Sequence, residues 1–189
     1  MLDVVKFLRN LKSSGVDIVQ LRDKLNNDRV FLKEAFRIKE ICKNYAMPFI
    51  INDRSDLARA VDSDGLHLGQ DDLPIDLARK ILGRNKIIGI SCHTIREALK
   101  AQREGADYIS FGPIFSTPLK PQTKAQGLNL LKRLIRDIKI PFFAIGGINP
   151  GNISRIMHRG VKRVAVCRSI LVSSNPGQAA KQLESCLRG

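Results

Sequence analysis

The feature that most limits what this chain can fold into is the regular alternation of short β-branched runs with longer amphipathic stretches. Runs at Asp17–Leu21, Pro48–Ile51, Gly65–Leu68, Lys86–Ile90, Asp107–Phe111, Pro141–Ile145 and Lys162–Val166 read as seven strands. Helical patterns fill the intervals, at Leu2–Lys12, Phe31–Tyr45, Thr94–Glu104, Leu128–Ile138, Gly151–Arg159 and Pro176–Leu187. Local punctuation agrees: Pro74 suits a first helical turn, Thr94 an N-cap with Glu97 three residues on, and Gly83, Gly105 and Gly160 helix C-termini.

Strict alternation implies parallel strands joined by crossover helices. Near-continuous apolar strands such as Ile87-Ile88-Gly89-Ile90 imply burial on both faces. A barrel and a doubly wound sheet both satisfy this pattern. The barrel is favoured because polar residues gather after several different strands, and no G-x-G-x-x-G follows the first one. The expectation is an α/β (β/α)8 TIM-type barrel forming one domain over residues 1–189, lacking the usual first strand because the chain opens on a helix. Seven strands leave two unpaired edges, so a homo-oligomer that covers them is expected.

Hydrophobic residues make up 43% and charged residues 26%, and no apolar run approaches the roughly 20 residues of a membrane span, so disorder and membrane insertion are poor readings. No secretion signal is seen near Met1, and a cytoplasmic location is expected. Cys42, Cys92, Cys167 and Cys186 form no C-x-x-C pair, which argues against structural zinc and a redox motif. The net charge of +14 favours anionic ligands. Its cations are dispersed, many on expected helix exteriors (Lys33, Arg37, Lys39, Lys43, Arg79, Lys80), and aromatics are only 5%. Small phosphorylated molecules are therefore expected as partners, ahead of nucleic acid.

The strand ends carry the chemistry. Gln20, Arg22 and Lys24 alternate at the end of the first strand, and two cations at that spacing suit a diphosphate, although alternating polar residues also mark a solvated strand. Asn52-Asp53 follows the second strand and Asp72 the third. Their carboxylates either hold Mg2+ beside a polyphosphate or cap the helices that begin near Ser55 and Pro74. Ser91 after the fourth strand offers a hydroxyl, while His67 and His93 read as structural. A Cys92 nucleophile with His93 as its base is rejected, because neighbours on a strand end point opposite ways.

The longest connection, from Gly112 to Gly127, reads as a cover that brings Thr117 and Lys120 to an anion, with a solvated Pro-rich loop as the plain alternative. Gly146-Gly147 and Cys167-Arg168-Ser169 end the last two strands, where barrels often bind phosphate, although a glycine pair also makes a simple tight turn.

The segments VDIVQLRDK, FIINDRSDLA, GLHLGQDDLP, IIGISCHT, GPIFSTPLK, PFFAIGGI and RVAVCRSI, in this order, resemble the thiamine-phosphate synthase family from Val16 to Ile170. The resemblance implies a (β/α)8 barrel joining hydroxymethylpyrimidine diphosphate to thiazole phosphate, with release of diphosphate and a requirement for Mg2+. It implies that Gln20 contacts the pyrimidine, that Arg22, Lys24 and Asn52 contact the diphosphate, and that Asp53 and Asp72 hold Mg2+. Ser91 and Lys120 would assist the departing diphosphate; Thr117, Gly147, Cys167 and Arg168 would hold the thiazole phosphate. Leu119 stands where many members have a second hydroxyl residue, and Arg168 where many have serine.

Two alternatives accompany this reading. A related thiazole tautomerase would need neither diphosphate nor Mg2+; retained Asp72, and Pro113 where tautomerase-like members often carry histidine, favour the synthase. The other is a non-catalytic, degenerate barrel or basic binding protein, for which salt-sensitive DNA binding without turnover would be the mark.

Overall fold

In the computed structural model, which describes residues 4–118 and 125–188, the alternation becomes a sheet of seven parallel strands. These are β1 (Val19–Leu21), β2 (Phe49–Asn52), β3 (Gly65–Leu68), β4 (Ile87–Cys92), β5 (Tyr108–Phe111), β6 (Phe142–Ile145) and β7 (Val164–Ala165). The helices are α1 (Val4–Ser13), α2 (Asp28–Asn44), α3 (Ser55–Val61), α4 (Ile75–Leu82), α5 (Ile95–Arg103), α6 (Asn129–Asp137), α7 (Ile153–Met157), α8 (Arg168–Leu171) and α9 (Pro176–Arg188). Every expected strand is present, with ends shifted by no more than two residues.

The spatial order runs β1-β2-β3-β4-β5-β6-β7 with all neighbours parallel. A doubly wound sheet reverses its strand order at a switch point, and this one does not, so that alternative is excluded. Among the described residues the seven strands form an α/β sheet in barrel order, with β1 and β7 as its edges. The helical layer nevertheless runs past those edges, because α1 packs on both α2 and α9, and α9 also meets α7 and α8. Leu8 and Leu11 of α1 thereby join Ala180 and Leu183 of α9 in the core.

The two faces of the sheet differ in chemistry. Phe49, Ile51, Leu66, Leu68, Ile88, Ile90, Ile109, Phe111 and Ala144 are buried in the apolar layer beneath the helices. The alternate set, which includes His67, Ser91, Tyr108 and Ser110, carries polar atoms and meets within hydrogen-bonding distance, as period-two alternation requires. Gly89 pairs with both His67 and Tyr108, and a Cβ there would overlap the Tyr108 ring, so this glycine is the space in which that ring lies.

Carboxylates brace the N-terminal ends of the strands. Asp64 Oδ2 accepts from Phe49 N at 2.8 Å, and Asp107 Oδ2 from both Ile88 N and Arg79 Nη2 at 2.7 Å. Asp62 is held by Lys86 Nζ at 2.6 Å and Lys39 Nζ at 3.2 Å. Arg79 and Lys39, expected on solvated helix exteriors, instead tie α4 and α2 to this end of the sheet. Among the described residues no helix is long and apolar enough to cross a membrane.

Candidate active site

The C-terminal strand ends carry a different set of charges. Asp23 builds the turn after β1: its Oδ1 accepts from Leu25 N at 2.9 Å and Asn26 N at 3.1 Å, and its Oδ2 from Asn26 Nδ2 at 2.6 Å. These bonds, with the Asn26 side chain foremost, hold the Asp23 carboxyl below its ordinary range. The turn presents Lys24 toward the end of β2, where its Nζ lies 3.1 Å from Asp53 Oδ2. Asp53 adopts left-handed backbone, φ 64°, while its N–H bonds His67 O on β3 at 2.8 Å. Asn52, the last residue of β2, is half-buried beside it.

Neither aspartate caps a helix. The N-cap positions of α3 and α4 are Arg54 and Pro74, without side-chain capping bonds. Asp72 Oδ2 instead accepts from Gly69 N at 2.6 Å and closes the turn after β3, next in the sheet to the β2 end that carries Asp53. From the same turn, Gln70 Nε2 donates to Ser91 O at 2.6 Å and links the ends of β3 and β4.

Arg54 is a residue the sequence reading did not single out. Its guanidinium holds Asp28 through both oxygens, at 2.7 and 3.0 Å, and Asp56 Oδ2 at 2.6 Å, clamping the starts of α2 and α3 directly behind Asp53. Asp28 and Asp56 are both lowered by this guanidinium, whose own proton is held more tightly.

Inside the sheet, His67 is the centre of a polar layer. Its Nδ1 lies 2.9 Å from Tyr108 Oη, its Nε2 2.9 Å from Ser91 Oγ and 3.3 Å from Ser110 Oγ. Gln20 hydrogen-bonds the Tyr108 hydroxyl, and burial pushes that phenol well above its ordinary value. Gln20 thus faces the interior, as β1 alternation predicts. His67 is structural in the sense expected, yet it also touches Ser91. His93 closes a plain structural link, its Nδ1 2.7 Å from Gly112 O. Cys92 is buried and its thiol is pushed up to about 12, which agrees with rejecting it as a nucleophile.

The remaining candidates sit on the ends of β5, β6 and β7. Ile114 N and Phe115 N donate to Ile145 O and Gly146 O at 2.8 and 3.0 Å, so the connection after β5 is laid along the turn after β6. Gly147, φ 66°, leaves no room for a Cβ against Phe115 and Ser116, and its carbonyl accepts from Asn152 Nδ2 at 2.9 Å. Close packing of two turns therefore accounts for this glycine locally. Half-buried Thr117 continues from there; Lys120, with Leu119, lies outside the described residues.

Ser169 Oγ donates to Ile148 O at 2.8 Å and joins the β7 turn to the β6 turn. Cys167 is exposed and precedes the single turn of α8, which begins at Arg168. Desolvation pushes the Cys167 thiol up, and the positive charge of Arg22 draws it back. The charge of Arg22 thus reaches the Cys167 thiol, while Lys24 pairs with Asp53 after β2.

Asp53 and Asp72 supply the oxygen donors that suit Mg2+, which takes few protein ligands and fills its sphere with water and phosphate oxygens. Among the described residues no group of three or more His, Cys, Asp or Glu side chains could by itself enclose a metal. A two-carboxylate site completed by a phosphorylated ligand fits these residues; a fully protein-ligated centre does not.

Comparison with known proteins identifies the family. The family model described as thiamine monophosphate synthase matches residues 2–170. A thiamine-phosphate synthase of Synechocystis sp. is 46% identical over 169 residues, 89% of this chain and 49% of that protein. One from Shouchella clausii is 41% identical over 182 residues, 96% of this chain and 87% of that protein. The structure of a thiamine phosphate pyrophosphorylase from Pyrococcus furiosus superposes with TM-score 0.89 at 33% identity, covering 97% of this chain and 89% of that one. The chain spans about half the length of several curated relatives it matches. Matched over nearly its whole length by the family model, this chain belongs to the thiamine monophosphate synthase family.

Proposed function

We propose that the chain is a Mg2+-dependent transferase that joins hydroxymethylpyrimidine diphosphate to thiazole phosphate, giving thiamine phosphate and diphosphate. The observation that carries this reading is the Lys24–Asp53 pair, 3.1 Å apart on neighbouring strand ends, where a cation and an anion stand ready for a metal-bound diphosphate. The relatives' names support the same reaction. The finer fold that accompanies it is a (β/α)8-type barrel whose remaining strand position lies between β7 and β1.

In this reading the bond between the pyrimidine methylene carbon and the diphosphate oxygen breaks, and the thiazole nitrogen bonds to that carbon. Charge builds on the leaving oxygens, and fixed donors aimed at them lower the barrier. Arg22, Lys24 and Asn52 bind the diphosphate, and Lys24 exchanges part of its contact with Asp53 for a phosphate oxygen. Mg2+, held through Asp53 and Asp72, would neutralise the remaining negative charge. Gln20 keeps one amide edge for the pyrimidine after bonding Tyr108. Ser91, with Lys120, donates to the departing group, while Thr117, Gly147, Cys167 and Arg168 hold the thiazole phosphate on another part of the same rim.

No protein nucleophile is needed. Soluble phosphorylated substrates and a cytoplasmic location go with this reading, as does self-association through the β1 and β7 edges, which a sedimentation mass twice that of the chain would support. The deciding experiment is an assay of purified protein with both substrates, with and without Mg2+. Mg2+-dependent formation of thiamine phosphate supports the proposal; no product under either condition sinks it, and isomerisation of a thiazole carboxylate phosphate without Mg2+ would favour the tautomerase.

A further inference from the structure

The polar layer within the sheet has a direction. Tyr108 Oη is shared between Gln20 and His67 Nδ1 among the described residues. The phenol is buried, and burial holds it in its neutral, protonated form. A buried hydroxyl must place its own proton, and leaving it unmatched is costly. His67 Nδ1, 2.9 Å away, can accept it.

With Nδ1 accepting, a neutral imidazole carries its proton on Nε2. That N–H then points at Ser91 Oγ, 2.9 Å away, with Ser110 Oγ further off at 3.3 Å. Ser110 also donates weakly to Ser91 Oγ, at 3.4 Å. Ser91 Oγ is therefore filled as an acceptor from within the sheet. Its own proton is then left to turn outward, toward the C-terminal strand ends.

We propose that His67, set by Tyr108 behind it, is a positioning residue that fixes the Ser91 hydroxyl as an outward-pointing donor for the leaving diphosphate. The proposal rests on the assignment of Ser91 to that anion. The chain Tyr108, His67, Ser91 passes donors in one direction across β5, β3 and β4, so the hydroxyl need not reorient as charge develops. Gly89 is part of the device, because its missing Cβ lets Tyr108 lie within reach of His67.

Two measurements test it. The first is nitrogen NMR of protein carrying 15N-histidine, with the His67 signals identified by their loss in His67→Gln. The expected result is Nε2 protonated and Nδ1 bare, with the preference relaxed in Tyr108→Phe; a proton on Nδ1 in the unaltered protein would overturn the proposal. The second is turnover. His67→Leu and Ser91→Ala should each lower kcat about tenfold to a hundredfold with smaller changes in KM, as loss of a donor to a charged group implies.

Because both act through one hydroxyl, the double variant should be no slower than the worse single variant. His67→Gln, whose amide N–H falls near the Nε2 position, should recover part of the loss. Multiplied losses in the double variant, with melting curves showing all variants folded, would also overturn the proposal. If the unaltered protein makes no thiamine phosphate, the functional reading fails by itself; the tautomer then still decides whether the donor chain runs outward.

Discussion

Lys24 Nζ and Asp53 Oδ2 meet at 3.1 Å across the step from β1 to β2, and Asp53 holds its side of the pair from left-handed backbone. The conformation orients its carboxylate at the strand end and is tolerated best, after glycine, by asparagine and aspartate. Asp53→Asn therefore removes the charge without straining the turn. Mg2+-dependent turnover is expected to fall about a hundredfold, in the range seen when one charge-stabilising group is removed from an active site. Initial rates across a Mg2+ titration check this, and unchanged turnover would count against the metal assignment.

Gly89 lies under the Tyr108 ring, and an added methyl has no space there. Gly89→Ala should destabilise the fold by about 1–3 kcal/mol, as overpacking of a filled interior does. Urea unfolding should show a lower midpoint at unchanged slope. An unchanged midpoint would mean that the ring moves aside without cost.

Asp62 is drawn from its ordinary 3.8 down to about 2 by Lys86 first and then Lys39. A lowered folded-state value means the carboxylate contributes stability above the unfolded pKa and loses it as pH falls through the folded one. Asp62 is at φ 53°, which asparagine accepts, so Asp62→Asn isolates the charge. The side chain is exposed, so the difference at neutral pH should stay below about 1 kcal/mol. It should shrink as pH falls from about 4 toward 2. Unfolding curves of both proteins over that interval test the sign.

Cys42 and Cys92 are buried, and desolvation pushes their thiols up to about 11 and about 12, whereas Cys167 stands exposed at the β7 end. Since the thiolate is the reacting form, iodoacetamide at mildly alkaline pH should label Cys167 in the folded protein and reach Cys42 and Cys92 only on unfolding. Peptide mass mapping gives the order. Labelling of Cys42 as fast as Cys167 would contradict the burial described.

Local pattern made much of this architecture legible before any coordinates. The apolar run Ile87 to Ile90 is a strand because β-branched residues bounded by turn residues have few other uses, and Thr94 caps α5, accepting from Glu97 N at 3.1 Å, by a bond three residues long. The candidate site was readable to the extent that parallel order carries every strand's C-terminal end to one rim. Gln20 and Ser91 could be named from their place in a strand alone.

Other roles depend on contacts across the chain. Whether Asp53 and Asp72 cap helices or face the rim is not encoded in their spacing, since they sit only two and three residues before a helix start; the Lys24 pairing and the Gly69 turn separate the two readings. His67 reads as an ordinary buried histidine because its partners lie 24 and 41 residues away. Arg79 reads as a solvated helix cation until Asp107, 28 residues on, is folded against it.

Alternation of side chains is a property of the backbone within one segment, and the sequence by itself therefore determined strands, helices and the face each residue takes. Hydrogen-bond partners and charge neighbours are set by distances between segments. Only the tertiary structure decided which polar atoms meet, and so which of the residues on the inner face form a hydrogen-bonded chain to Ser91.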